Sequence, residues 1–148
     1  MSSVAQIGSL TAETVERMLF AARHRAEELA LRVNIAVVDG AGNLAGFIRI
    51  PGSFLSSTDL AIDKAYTSAS FSMSSRGFGE LLEQAPRAVR EGLLRRPRLT
   101  EVPGGLPVML EGQLVGAVGV SGGTEEEDEE IALVAANEAA SEGLSGRE

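Results

Sequence analysis

Apolar and polar positions follow two rhythms along the chain, and the changes of rhythm mark out its elements. In residues 11–32, "TAETVERMLFAARHRAEELALR", Val15, Met18, Leu19, Ala22, Ala26, Leu29 and Ala30 recur at helical spacing on one face. Thr11 is placed to cap that helix, and Glu13 suits its positive end. "VNIAVVD", 33–39, is a β-branched run that reads as a buried strand. "DGAGN" is a turn, "LAGFIRI" returns as a second strand, and Pro51-Gly52 stops it. A second helix is predicted from about Thr58 to Met73, with a small-residue stripe of Ala61, Ala65, Ser68, Ala69 and Ser72 that lets it lie close to a sheet. Residues 74–97 read as a loop with short helical pieces broken at Pro86 and Gly92.

"LPVML" and "QLVGAVGV" are two further strand runs, joined by the hairpin signal Glu111-Gly112. Strict alternation puts Leu114, Gly116, Val118 and Val120 on one face, so that Gly116 leaves a notch, with Gly119 doing the same on the other face. These glycines match neither a phosphate loop nor a dinucleotide fingerprint. They read as a floor under another element, with "PGGLP", 103–107, as a lip before it. Thr124 and Glu127 form a capping box, and a last helix is predicted from about Glu125 to Ser141. The pattern predicts an α/β (α+β) domain: a five-stranded antiparallel sheet with helices on both faces, the fifth strand falling near 98–102. One domain spans 1–148, with a core over about 10–141 and a frayed tail over 142–148.

Composition narrows the function classes. A net charge of −8 argues against nucleic acid, whose binding rests on cationic neutralisation of phosphate. No cysteine is present, so thiolate metal sites and disulfides are excluded. No run is long and apolar enough to span a bilayer, and the N-terminal stretch lacks the pattern of a secretory signal. The expectation is a cytoplasmic protein with no membrane or nucleic-acid partner.

The candidate chemistry is sparse. His24, the only histidine, lies opposite the core stripe of the first helix beside Phe20 and Leu31. Its plain reading is a surface histidine. Its sharper reading is an axial ligand to haem iron at a groove or subunit contact, because imidazole is a common proximal ligand. Lys64 sits one step around from the alanine stripe. It is either a packed lysine stem or a desolvated amine facing a pocket, able to bind a carboxylate or act as base or nucleophile. In the second case its ammonium needs an anionic ligand or a carboxylate such as Asp39, and the fold is expected to tolerate Lys64→Met. Tyr66, the only tyrosine, offers a phenol to iron or to a proton. Asp39 reads as a turn residue, and Arg49 as a bridge to an acid or a ligand carboxylate. The run "EEEDEE", 125–130, reads as helix capping rather than a hard-metal site. No zinc set or serine triad is assembled.

Three ordered blocks, "IAVVDGAGNLAGFIRIPGS", "STDLAIDKAYTSASF" and "GGLPVMLEGQLVGAVGVSGGTEEEDEEIA", resemble the GlcG/HbpS family, which is related to the C-terminal domain of PduO-type proteins. The resemblance covers about residues 10–140. It implies a profilin-like fold, self-assembly into a homo-oligomer, and haem binding in some members. The family's pattern falls on Asp39, Gly42, Arg49, Ala61, Lys64, Ala65, Thr67, Gly104, Gly105, Pro107, Gly112, Gly116, Gly119, Ser121, Gly122 and Asp128. Pro51 departs from it, standing where the family usually carries an aspartate. From the resemblance and the residues together, His24, Tyr66, Gly104, Gly105, Pro107 and Gly116 are candidate cofactor contacts, with haem the candidate cofactor. Lys64, Arg49 and Asp39 are candidate catalytic residues. Three readings follow: a small-ligand protein binding haem or a related tetrapyrrole, an enzyme on a small carbonyl or carboxylate compound through Lys64 and Arg49, and an oligomeric accessory protein without chemistry of its own.

Overall fold

The computed structural model describes residues 2–145, with side chains through residue 141. In chain order its elements are α1 (Ala12–Glu28), β1 (Asn34–Asp39), β2 (Leu44–Arg49), α2 (Ser57–Phe71), α3 (Ser75–Glu83), α4 (Arg87–Leu94), β3 (Gly105–Leu110), β4 (Gln113–Ser121) and α5 (Glu125–Ser145). The sheet is antiparallel throughout, in the order β2-β1-β4-β3. Helix α5 continues to Ser145, past the start of the tail expected over 142–148; the rest of that tail lies outside the described residues.

Central strand β1 is apolar at nearly every position because both of its faces are covered. Ile35 and Val37 face α1 and α5, in a core with Val15, Met18, Ala22, Val118, Val120 and Ile131. Ala36 and Val38 face α2, in a smaller core with Ala61, Ala65, Ala69 and Ala117. That second core is built almost wholly of small side chains, so α2 lies close against the sheet, as its stripe predicts.

The sheet has four strands, not five. Residues 98–102 run as irregular chain across α2. The fully buried Thr67 hydroxyl donates to the Arg98 carbonyl at 3.3 Å and accepts the Thr100 N–H at 3.0 Å. The N–H that a fifth strand would offer to β3 is therefore spent on α2. Pro107 sits in the edge strand β3, where a missing donor is tolerated.

Two further expectations are corrected by local backbone. In β4, Val108 pairs with Gly116 but Met109 pairs with Leu114, so Val115 is an extra, bulged residue. The bulge reverses the alternation: Leu114 packs on the α2 side while Val118 and Val120 face α1 and α5. The notch at Gly116 is filled by Leu10, whose N–H donates to the Val115 carbonyl at 3.0 Å. In α1, Leu31 does not stay on the outer side with Phe20. Ala30 adopts φ 56°, the Leu31 N–H turns back to the Ala26 carbonyl at 2.9 Å, and Leu31 packs against the main core. A helical wheel stops applying once the helix has ended in this left-handed cap. Glu111 and Gly112 both take positive φ, 53° and 76°, which is the two-residue hairpin geometry their sequence predicts.

Candidate functional site

Helices α1 and α5 lie side by side on one face of the sheet, and between them runs a groove of about 750 Å³. Its walls include Phe20, Ala21, His24, Arg17 and Arg25 from α1, with Val134 and Glu138 from α5. Phe20 and His24 are one helical turn apart, so both project outward from the buried stripe. Their rings lie parallel, interplanar angle 1°, with centroids 6.3 Å apart. Phe20 is 60% exposed, so its ring presents apolar surface to the groove. Arg23 stands 5.1 Å over its ring. Arg17 is paired with Glu13, and Arg25 with Glu28 and Glu130, all at the surface.

Lys64 is placed quite differently. It is 1% exposed, and its ammonium donates to the Val120 carbonyl at 2.7 Å and to Asp128 Oδ2 at 3.1 Å. Burial pushes the Lys64 pKa down and the Asp128 pKa up, each opposed by the partner's charge. Asp128 Oδ1 also accepts the Gly123 N–H at 2.9 Å. The carboxylate that meets Lys64 is thus Asp128, not Asp39. Asp39 closes its own turn by accepting from the Ala41 and Asn43 N–H groups at 2.9 and 3.0 Å. Arg49 donates to the Ser53 carbonyl at 2.8 Å. Because Arg49 pairs with Asn34, it stands at the end of the β1–β2 hairpin opposite Asp39. The three candidate catalytic residues are not brought together.

Nor are the candidate cofactor contacts. Tyr66 lies on α2, across the sheet from His24, so the two do not share one site. Gly104 and Gly105 fit against Lys64, where any side chain would meet its amine or its carbonyl. Pro107 belongs to the sheet edge, and Gly116 is packed by Leu10. Gly105 and Gly119 form the floor, and what rests on it is the backbone of α2.

The acidic run is distributed among structural tasks. Thr124 and Glu127 exchange hydrogen bonds, at 3.2 and 2.9 Å, as a capping box. Glu125 and Glu129 hold Arg76 of α3, and Glu130 reaches Arg25 of α1. Asp128 and the α5 wall of the groove, Val134 and Glu138, were not singled out by chemical reasoning on the sequence. Asp128 was hidden within a run that capping alone explains, and its one distinguishing signal is its position in the family pattern.

A family model described as haem degrading protein HbpS-like matches residues 10–137. The uncharacterized 15.0 kDa protein in the dhaT-dhaS intergenic region of Citrobacter freundii is 33% identical over 135 residues, 91% of this chain and 95% of that protein. Protein GlcG of Escherichia coli strain K12 is 31% identical over 112 residues, 76% of this chain and 81% of that one. The crystal structure of a PduOC:haem complex superposes with a TM-score of 0.80 at 26% identity, covering 88% of this chain and 94% of that chain. With nearly the whole chain matched in sequence and in fold, this protein belongs to the HbpS-like family.

Proposed function

We propose that the chain binds haem or a related tetrapyrrole in the α1–α5 groove, with His24 as the iron ligand. The observation that carries this reading is the pairing of an outward imidazole with an exposed aromatic ring in a groove of about 750 Å³. That volume falls in the usual range of small-molecule sites, about 300–1,000 Å³. The residues fit the group. Phe20, Ala21 and Val134 offer an apolar wall to a porphyrin face, and His24 offers the nitrogen that iron takes. Arg17 and Arg25 line the same groove. Their present carboxylate partners are solvent-exposed, and such pairs contribute only about 0–1 kcal/mol, so either arginine can exchange its partner for a propionate. Bound there, the tetrapyrrole would supply a metal centre held by a single protein ligand. The neighbouring haem complex of PduOC, at 26% identity, supports the choice of ligand class.

The carbonyl-enzyme reading has no comparable support. Lys64 is sealed between Val120 and Asp128, and Arg49 and Asp39 stand at opposite ends of a hairpin. The test is a hemin titration followed in the Soret region. One equivalent per chain is expected to give a sharp ligated band, with His24→Ala abolishing it and Tyr66→Phe leaving it intact. An unchanged band in His24→Ala would remove the proposal's only iron ligand and overturn it.

A further inference from the structure

The opposite face of the sheet carries a second cavity. Between α2 and the irregular segment after α4 lies a space of about 290 Å³, walled by Tyr66, Phe71, Arg96, Pro97, Arg98 and Leu99, with Ser70. Its cationic content is unexpected in a chain of net charge −8. Five of the chain's 13 basic residues, Arg87, Arg90, Arg95, Arg96 and Arg98, fall within residues 87–98. Arg87 and Arg95 share Glu91, but among the described residues no carboxylate forms an ion pair with Arg96 or Arg98. Asp63 feels the charge of Arg98 only at longer range.

Arg98 is nevertheless held in place. Its guanidinium lies 3.7 Å over the centroid of the Tyr66 ring, and its carbonyl is tied down by the buried Thr67. A guanidinium stacked by its face keeps its in-plane N–H donors free, and that fork matches a carboxylate. Beside this cation the walls turn apolar: Leu99, Pro97 and Phe71, the last braced by Phe78 with ring centroids 4.7 Å apart. We infer that this cavity is a binding site for a small carboxylate with a flat apolar body, whose oxyanion pairs with Arg98 and Arg96 while its body lies against Phe71 and Leu99. The cavity's size admits a single-ring acid and is separate from the His24 groove.

Benzoate is a direct probe, titrated against ¹⁵N-labelled protein by NMR. Saturable shifts are expected in residues 66–71 and 96–99. Benzamide, the same shape without the charge, is expected to bind at least about tenfold more weakly, the usual consequence of losing a charge-assisted pair. Arg96→Gln/Arg98→Gln, a change confined to exposed side chains, is expected to weaken benzoate by a similar factor. Tyr66→Leu, which removes the platform under Arg98, should also weaken it, while His24→Ala should leave it unchanged. The inference is overturned by benzamide binding as well as benzoate, by an unaltered affinity in the double variant, or by no saturable shifts at these positions. Inorganic phosphate binding as tightly as benzoate would overturn the assignment to an apolar carboxylate.

Discussion

Lys64 and Asp128 form a buried ion pair, Nζ to Oδ2 3.1 Å, that joins α2 on one face of the sheet to α5 on the other around the end of β4. A pair so placed costs desolvation on both sides, which is why burial drives both groups toward their neutral forms. Its role follows from connectivity: it ties the two helical layers to each other and to the Val120 carbonyl.

Asp128→Asn is expected to destabilise the fold by about 3–5 kcal/mol, the usual cost of stranding one member of a buried pair. The loss should shrink as pH rises. Burial already lowers the Lys64 pKa from 10.5, and removal of the opposing carboxylate lowers it further. The unfolded chain then binds more protons than the folded one between the lowered value and 10.5, so stability climbs with pH across that window. Urea melts at pH 7 and pH 9.5 check this. A deficit that stays constant would mean that loss of the Asp128 charge leaves the folded-state pKa of Lys64 where it is in the wild type.

Lys64→Met is expected to show the opposite dependence. The sequence alone led us to expect a tolerant fold, but the variant leaves Asp128 charged and buried, and a loss of about 3–5 kcal/mol should follow at pH 7. Burial raises the Asp128 pKa above 3.8, and loss of the ammonium raises it further. The penalty is present above that raised value and is relieved as pH falls through it toward 3.8. Relative to the wild type, the variant should therefore recover stability between pH 7 and pH 4.5 in the same denaturant assay.

The sequence was most legible where one local rule acts alone. The Thr11 cap, the Glu111-Gly112 turn, the alanine stripe of α2 and the capping box at Thr124 all stand where their residue types put them. It was least legible where distant groups compete for one hydrogen bond or one space. No pattern in 98–102 reveals that Thr67, more than thirty positions earlier, claims the Thr100 N–H. The bulge at Val115 inverts Leu114, and its one local signal, the adjacent Gly116, reads equally well as a notch in a regular strand. The site divided in the same way. That His24 and Phe20 share an outer face follows from helical spacing, but the α5 wall opposite them is set by packing. The alanine stripe beside Lys64 leaves open a packed stem or a desolvated amine; the structure shows the amine buried and paired, and its partner comes from a run of like residues whose members face different neighbours.

Ala30→Gly is expected to stabilise the protein by about 0.5–1 kcal/mol. Ala30 is an exposed residue with φ 56° at the end of α1, where a Cβ crowds the following carbonyl. Glycine adopts that conformation without strain, though its greater freedom in the unfolded chain returns part of the gain. Thermal melts should show a small upward shift; a lowered melting temperature would mean the left-handed cap carries no strain worth relieving.

Gly119→Ala and Gly92→Ala make a matched pair that tests whether the glycine floor exists for close packing. A methyl group on Gly119 would collide with the Ala61 carbonyl and stand 2.6 Å from the Ala65 nitrogen, both backbone atoms of α2. Backbone cannot rotate away, so helix and sheet must separate, opening the small-residue core formed by Ala36, Ala61, Ala65 and Ala117. A cost of about 3 kcal/mol is expected, at the upper end for overpacking. Gly92 lies within α4 with nothing inside 4 Å of the position a methyl would take. There alanine should favour the helix by about 0.5–1 kcal/mol. Chemical denaturation of the two variants is therefore expected to move in opposite directions from the wild type. A tolerated alanine at position 119 would show that α2 can ride farther from the sheet, and close packing would no longer account for Gly119.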